Sequence, residues 1–316
     1  MSISFTRLII VLGLALPVAL PLSGCRSAKS NSRYYPQESL LKIIGGFDAH
    51  DQADLYRFAP PKDLSGQNVF KATLVRLDNY QALYPETNRD MIDLARAGAY
   101  ERLGEYGEAY RFYRRAAVAL EEHESPLLHA PAILLARRSM KALDEFLALE
   151  QLRPQAQTFG ELIDEYEARA TAWRQLTTSS SLRSQPYLSL ALIELEEAEL
   201  LVADTIWQYR GVLENGPPRA IERLAQLIEN HAASRRVDDH MLKLGRWWEQ
   251  RARDYVTQNP PSRFSFQPEQ FADYLNQARE QYRKVAGAYG SPWRTEAVAA
   301  QETLEEFAKR IVDEYG

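Results

Sequence analysis

The chain contains a single cysteine, Cys25, among its 316 residues, so an intramolecular disulfide is excluded. It also lacks an excess of positive charge, since 38 lysines and arginines stand against 43 aspartates and glutamates, for a net charge of −5. Nucleic-acid binding relies on clustered Lys and Arg, and this balance argues against it. Glycine is scarce, with 15 residues, and 45% of the residues are hydrophobic. That composition is typical of a folded chain with a substantial core.

The N-terminal region lacks an apolar run of membrane-spanning length. Its longest run, Leu8 to Leu22, has 15 residues and is interrupted by Pro17 and Pro21. A spanning helix needs about 20 apolar residues, so this run is too short to cross a bilayer. A basic start followed by a short apolar segment predicts an export signal over residues 1–24.

The end of this segment, Leu22-Ser23-Gly24-Cys25, resembles the lipobox of bacterial lipoproteins. The resemblance implies that Cys25 is acylated, for instance with palmitate, and becomes the first residue of the mature chain. Arg26 stands where an aspartate would signal inner-membrane retention, which favours an outer-membrane anchor facing the periplasm. The alternatives are an ordinary signal peptide that carries a cysteine, or a free thiol. The polar residues 25–36 suit a flexible tether.

The mature chain is predicted to be all-α, because apolar residues recur at spacings of three and four. Short turns rich in Gly, Pro, Ser and Asn separate the predicted helices, which favours stacked antiparallel hairpins over residues 65–316. Residues 37–64 are less regular and predict an irregular N-terminal segment, and residues 257–268 predict a long loop. The apolar stripes comprise Phe70, Leu74, Leu77 and Tyr84; Ala136, Met140, Leu143 and Leu147; Leu162, Tyr166 and Trp173; Leu188, Leu192, Leu195, Val202, Ile206, Tyr209 and Leu213; and Ala297, Ala300, Leu304, Phe307 and Ile311.

Residues 97–117 resemble a tetratricopeptide repeat, and the clearest repeat covers residues 91–120. Alanines at the small positions let two helices approach closely, and tyrosines at the aromatic positions fill the space beside them. Asp93 departs from the pattern, since the family has a large aromatic residue there. The residues that carry the resemblance are Ala97, Tyr100, Gly104, Ala109, Tyr113 and Ala116.

Weaker matches follow downstream, and the resemblance covers about a third of the chain. Tyr-Pro and Gly-Ser-Pro junctions, in residues 82–110 and 282–298, are similar to those of exported repeat proteins. Examples are the lipoprotein component of the outer-membrane β-barrel assembly machinery and the periplasmic coordinator of the Tol-Pal system. The resemblance implies a superhelical solenoid of stacked hairpins. The matching residues are Leu244, Gly245 and Trp248 on a first helix, and Ala278, Tyr282 and Val285 on a second one.

Four residues are candidate contacts with a protein partner. Repeats that grip a C-terminal carboxylate use Lys and Asn on their first helix, and Leu94 and Gly98 occupy those positions here. That clamp is therefore absent, and only Arg102 is available to meet a carboxylate. One ring of Trp247-Trp248 contacts the next hairpin or a partner, because neighbouring helical residues point about 100° apart. The candidate contacts are Leu94, Glu101, Arg102 and Trp247.

No catalytic motif, cofactor fingerprint or metal-ligand spacing is present, so the sequence predicts neither an enzyme nor a bound cofactor or metal. The two polar clusters nearest to a ligand set are Asp48-Ala49-His50-Asp51 and Asp238-Asp239-His240, which an unpatterned polar segment explains equally well. Glu194, Glu196, Glu197 and Glu199 are interpreted as a solvated helix face.

The favoured function is a lipid-anchored scaffold that binds an envelope protein or an extended peptide. Outer-membrane protein assembly and envelope maintenance are the first specific roles. A cell-wall or glycan enzyme with two inward carboxylates is one alternative, and a solute or lipid carrier with a closed apolar cavity is another.

Overall fold

The computed structural model describes residues 38–51, 55–123, 126–150, 155–179, 182 and 187–315. In these residues the secondary structure is helical, apart from turns and an isolated antiparallel bridge between Lys62 and Asn68. The expectation of an all-α chain is confirmed. The predicted signal, Cys25 and the tether lie outside the described residues. Among the helices that are described, none is both long and apolar enough to span a bilayer.

The connections between consecutive helices have nine residues or fewer, except for residues 52–68 between the first two helices. In chain order the helices are α1 (Leu40–Asp51), α2 (Val69–Leu83), α3 (Arg89–Arg102), α4 (Tyr106–Glu121), a 3₁₀ turn (Pro126–His129), α5 (Ala130–Glu150), α6 (Phe159–Thr178), α7 (Tyr187–Gln208), α8 (Gly216–Asn230), α9 (Val237–Gln258), α10 (Pro268–Gly287) and α11 (Arg294–Tyr315).

The contacts divide the chain into two compact units. Unit 1 comprises residues 1–153 and 176–191, and unit 2 comprises residues 154–175 and 192–316. Within unit 1, α1 packs on α2, α2 on α3, α3 on α4, and α4 on α5. Within unit 2, α8 packs on α9, α9 on α10, and α10 on α11. Packing between consecutive helices is what short connections favour.

The irregular segment expected over residues 37–64 is partly wrong, because Leu40–Asp51 forms helix α1. Two adjacent glycines, Gly45 and Gly46, hide this helix from a propensity argument, since each costs about 1 kcal/mol relative to alanine. The apolar residues at spacings of three and four are buried against α2 and α3. Burial therefore overrides the local preference. These residues are Leu40, Ile43, Ile44 and Phe47.

The α3–α4 hairpin packs small residues against large ones. Ala97, Ala109 and Ala116 are completely buried, and the ring of Tyr113 is buried beside them. Gly104 ends α3 with a φ of 77°, a left-handed conformation that glycine adopts without strain. The amide of Gly104 donates to the carbonyl of Glu101, and the next amide donates to the carbonyl of Tyr100. These two bonds form a Schellman motif, so Gly104 serves the turn between the helices.

Asp93, the departure from the repeat pattern, is also buried. The guanidinium of Arg115 lies 3.0 Å from its carboxylate, and that of Arg96 lies 3.6 Å away. Burial raises the pKa of Asp93, and the two arginines oppose that shift. A carboxylate with two guanidinium partners thus fills the place of an aromatic side chain.

Unit 2 repeats the small-against-large packing between α9 and α10. A Cβ atom on Gly245 would lie 2.5 Å from the ring of Tyr282, which is completely buried. The hydroxyl of Tyr282 donates to Glu249 over 2.8 Å. The two helices therefore touch through a glycine and a tyrosine.

The predicted apolar stripes lie on α2, α5, α6, α7 and α11, with differences at their ends. Tyr84 lies one residue beyond α2, and Tyr209 and Leu213 follow the end of α7. The loop between α9 and α10 covers residues 259–267, so both ends of the predicted loop, 257–258 and 268, are helical. The ring of Phe266 in this loop is buried in the core of unit 2.

Candidate functional site

The four predicted partner contacts all lie inside the fold. Leu94 is 2% exposed, Glu101 is 3% exposed, and Trp247 is 7% exposed. The side chain of Arg102 is 4% exposed. A contact on an open surface requires exposed side chains, and none of the four is exposed. The structure assigns them contacts within their own units instead.

The inner face of α3 carries three of these residues, and the chain covers that face itself. Helix α1 lies against Gly98, where an added Cβ would meet the ring of Phe47 at 2.9 Å. The same helix supplies Asp51, whose carboxylate accepts a 2.5 Å hydrogen bond from Nε of Arg102 and whose carbonyl accepts a second one at 3.1 Å. Arg102 therefore does meet a carboxylate, but one from its own chain.

Glu101 forms the centre of a buried polar cluster in unit 1. Its Oε2 accepts a 2.9 Å hydrogen bond from the hydroxyl of Tyr113 on α4 and a 3.0 Å bond from the hydroxyl of Tyr187 on α7. The hydroxyls of Tyr187 and Ser139, on α5, share a further hydrogen bond of 2.5 Å. Side chains from α3, α4, α5 and α7 thus converge on one carboxyl. We call Glu101, Tyr113, Ser139 and Tyr187 the Glu101 cluster.

Burial decides the protonation of this cluster. It raises the pKa of Glu101 to about 7, against the opposing charge of Arg102 and the hydrogen bonds from the two tyrosines. Burial and the neighbouring carboxyl also raise the pKa of both tyrosines well above its usual range. The tyrosines are therefore neutral donors, and Glu101 is the group of the cluster that titrates near neutrality.

Trp247, the fourth candidate, belongs to unit 2. Its ring stacks on that of Trp207, with centroids 4.6 Å apart and planes 7° apart. The neighbouring Trp248 packs against Tyr274 of α10 at 6.0 Å. Both rings of the pair are thus engaged by helices of the same unit, Trp247 by the preceding α7 and Trp248 by α10, the helix that follows α9.

The interpretation of α7 as carrying a solvated acidic face is wrong for two of its four glutamates. Glu196 is 1% exposed and binds the buried His240 at 2.8 Å and the hydroxyl of Ser234 at 2.6 Å. Glu199 binds the buried His231 at 3.0 Å. Glu199 interrupts an apolar stripe in the sequence, and a charge at such a position indicates a buried partner. The interruption of the stripe could have indicated that Glu199 is paired, but its partners, His231 and Arg174, lie far from it in the sequence.

These two glutamates are held in their charged form. Burial alone would raise the pKa of Glu196, but hydrogen bonds from His240 and Ser234 outweigh burial and lower it. The pKa of Glu199 is lowered in the same way, because His231 and Arg174 outweigh its burial. A carboxylate with a lowered pKa holds a cation or a donor well and is a poor general acid.

A polar cleft in unit 2 lies beside Glu199, between α6, α7 and α8. Arg174 pairs with Glu199 across it at 2.5 Å, and Arg223 pairs with Glu167 at 2.5 Å. Both of its carboxylates are thus occupied by guanidinium groups. Two paired carboxylates do not supply the protonated acid and free base that glycoside hydrolysis needs. The cleft is lined by Glu167, Ala170, Thr171, Arg174, Glu199, Val202, Arg223, Gln226, Leu227 and Asn230.

The polar clusters noted in the sequence do not assemble into a ligand set. Asp51 pairs with Arg102, Asp48 is buried in α1, and His240 faces Glu196. Within the described part of the chain, no three His, Cys, Asp or Glu side chains are grouped to hold a metal ion.

Comparison of the chain with protein-family models, with curated proteins and with solved structures finds no match. Inferences about its function therefore rest on the sequence patterns and the geometry described above.

Proposed function

We propose that the chain is a lipid-anchored, periplasm-facing scaffold that binds another envelope protein or an extended peptide. The observation that carries the proposal is the sequence Leu22-Ser23-Gly24-Cys25 directly after an apolar run too short to span a bilayer. Acylation of Cys25 anchors the chain, because each buried methylene contributes about 0.8 kcal/mol. The residue after it, Arg26, favours the outer membrane. Confinement to that surface raises the effective concentration of the scaffold near its partners.

The architecture we propose for residues 65–316 is a superhelical solenoid similar to tetratricopeptide repeats. Its support is the packing of consecutive helices within each unit and the small-against-large contacts at Ala97 and Gly245. A preformed helical surface accepts a helix or an extended segment at little cost in conformational entropy. Binding, and not catalysis, is the mechanism. Assembly of outer-membrane proteins and maintenance of the envelope are the first roles to test.

Exposed side chains are the contacts available to a partner, since the four residues singled out in the sequence are buried. Several large apolar side chains are open to solvent in the two units, and a binder uses such groups as anchors. Among them are Phe58, Leu127 and Leu134 in unit 1, and Val212, Phe264 and Tyr289 in unit 2.

The alternatives receive less support from the geometry. A glycan hydrolase needs one carboxyl protonated, and the carboxylates of the unit 2 cleft are paired with arginines. A carrier needs a closed apolar cavity, whereas this cleft is lined mostly by charged and amide side chains.

The proposal is tested by following the anchor and the partner together. We expect the mature protein to carry acyl chains on Cys25, seen by mass spectrometry of the N-terminal peptide, and to remain with the membrane after washing at high salt. A photo-crosslinking amino acid at Leu127 or Phe264, both exposed, is expected to capture a defined envelope protein in intact cells. The same amino acid at the buried Leu143 is the matched control and should capture nothing.

Two results would overturn the proposal. One is a Cys25→Ser variant that remains acylated and bound to the membrane. The other is an absence of protein crosslinks from every exposed position tested, combined with hydrolysis of purified peptidoglycan by the wild-type protein.

A further inference from the structure

Glu101 is a buried carboxyl whose hydrogen-bonding partners are uncharged. It receives hydrogen bonds only from hydroxyl groups, those of Tyr113 and Tyr187, in the contacts that the structure describes. The neighbouring guanidinium, that of Arg102, is hydrogen-bonded to Asp51 of α1. Arg102, the cation that acts on Glu101 among the described residues, is therefore already hydrogen-bonded to another carboxylate.

An ionised Glu101 leaves this region with one uncompensated negative charge. Arg102 and Asp51 neutralise each other, and a buried charge without a partner is costly. A single proton on Glu101 removes the imbalance. The groups that act on Glu101 are Arg102 on its own helix, Asp51 of α1, Tyr113 of α4 and Tyr187 of α7, and Ser139 of α5 is bonded to Tyr187.

The two tyrosines that cover Glu101 differ in how easily their helices open locally. Tyr113 lies in the middle of α4, whereas Tyr187 is the first residue of α7. Helix ends open locally at a lower free energy than helix centres. Hydration of an ionised Glu101 is therefore least costly when the first turn of α7 moves away, which breaks the bonds of Tyr187 to Glu101 and Ser139.

We propose that Glu101 is a proton-controlled latch for the first turn of α7. The protonated carboxyl holds Tyr187 in the Glu101 cluster, and the ionised carboxylate favours local opening of residues 187–191. Opening uncovers the carboxylate of Glu101 and the hydroxyl of Tyr113 on the inner face of the α3–α4 hairpin. The inference concerns unit 1 alone and goes beyond the proposed scaffold role, on which it does not depend.

The size of the effect follows from the difference between the closed and open states. The pKa of Glu101 is about 7 when buried, against 4.5 when exposed. Each unit of difference corresponds to a tenfold change in an equilibrium constant. The opening constant is therefore expected to rise about tenfold per pH unit over this range, and about 300-fold in total.

Hydrogen exchange of the full-length protein, followed by mass spectrometry between pH 5 and pH 8.5, tests the latch. After correction for intrinsic exchange, we expect the protection of the amides of residues 191–195, which bond to the carbonyls of the first turn of α7, to fall as the pH rises toward 7 and to level off above it. Glu101→Gln keeps a neutral acceptor at every pH, so its protection should be independent of pH. Glu105→Gln removes an exposed carboxylate in the adjacent turn and should behave like the wild type.

Wild-type protection that does not change with pH would overturn the latch, and so would the same pH dependence in Glu101→Gln. If Glu101→Gln does not fold, Tyr187→Phe supplies the second test. It keeps the carboxyl and removes one hydroxyl, so protection of the amides of residues 191–195 should be lower than in the wild type at pH 5. The infrared band of the protonated carboxylic acid gives an independent reading in the wild type. A band that persists to about pH 7 supports the latch, and one that is lost below pH 5 refutes it.

Discussion

Replacement of Gly245 by alanine tests the claim that small residues set the distance between paired helices. The new Cβ would lie 2.5 Å and 2.7 Å from two carbons of the Tyr282 ring. Ordinary contacts begin near 3.4 Å, so the ring or the helix must move by nearly 1 Å. The ring cannot retreat easily, because it is completely buried and its hydroxyl is bound to Glu249, which Arg253 also holds.

Two effects oppose each other in this variant. Alanine is favoured over glycine inside a helix by about 1 kcal/mol. Overpacking of a close-packed core costs about 1–3 kcal/mol. Because the ring is completely buried and its hydroxyl is hydrogen-bonded, we expect Gly245→Ala to lower the free energy of unfolding by up to about 2 kcal/mol.

Urea unfolding followed by tryptophan fluorescence measures this change. The five tryptophans of the chain all fall within the sequence ranges of unit 2, so their fluorescence reports on that unit. Gly287→Ala on α10 is the control, since no atom lies within 4 Å of its new Cβ, and it should stabilise the protein by about 0.4–1 kcal/mol. Combining Gly245→Ala with Tyr282→Leu should recover part of the loss. The packing argument is refuted if Gly245→Ala stabilises the protein as much as Gly287→Ala does.

Three further predictions concern the turns and the buried polar groups. Gly104→Ala forces a non-glycine residue to a φ of 77°, so we expect a loss of about 1–2 kcal/mol in urea unfolding followed by circular dichroism; an unchanged midpoint would contradict the turn assignment. The pKa of Glu196 and that of Glu199 are lowered in the folded state, so the stability that these carboxylates contribute is present above pH 4.5 and is lost as the pH falls toward their folded pKa. Glu196→Gln should therefore flatten the acid side of a plot of unfolding free energy against pH. An unaltered plot would argue against the contact between Glu196 and His240. Trp247→Ala should cost about 3–5 kcal/mol because the ring is stacked in the core, and a loss below 1 kcal/mol would indicate a surface role.

The packing inside a helical hairpin could be predicted in part from the sequence, because it depends on residues that lie close together in the chain. The alanines and Gly104 of the α3–α4 hairpin lie within about twenty positions of one another, so their spacing alone predicts their contacts. Helix α1 could not be predicted in the same way, since it forms only when its apolar residues are buried by other helices.

The contacts within the buried polar clusters could not be predicted from the sequence. Tyr187 reaches Glu101 over a separation of 86 residues, and His240 reaches Glu196 over 44. No local pattern encodes such pairs, so the sequence assigned Glu101 and Arg102 to an open surface and Glu196 to a solvated face. The sequence by itself determined that the described part of the chain is helical, whereas lipidation of Cys25 stays a prediction. Only the tertiary structure decided which charges are buried and what neutralises them, because desolvation depends on neighbours that the chain brings together from a distance.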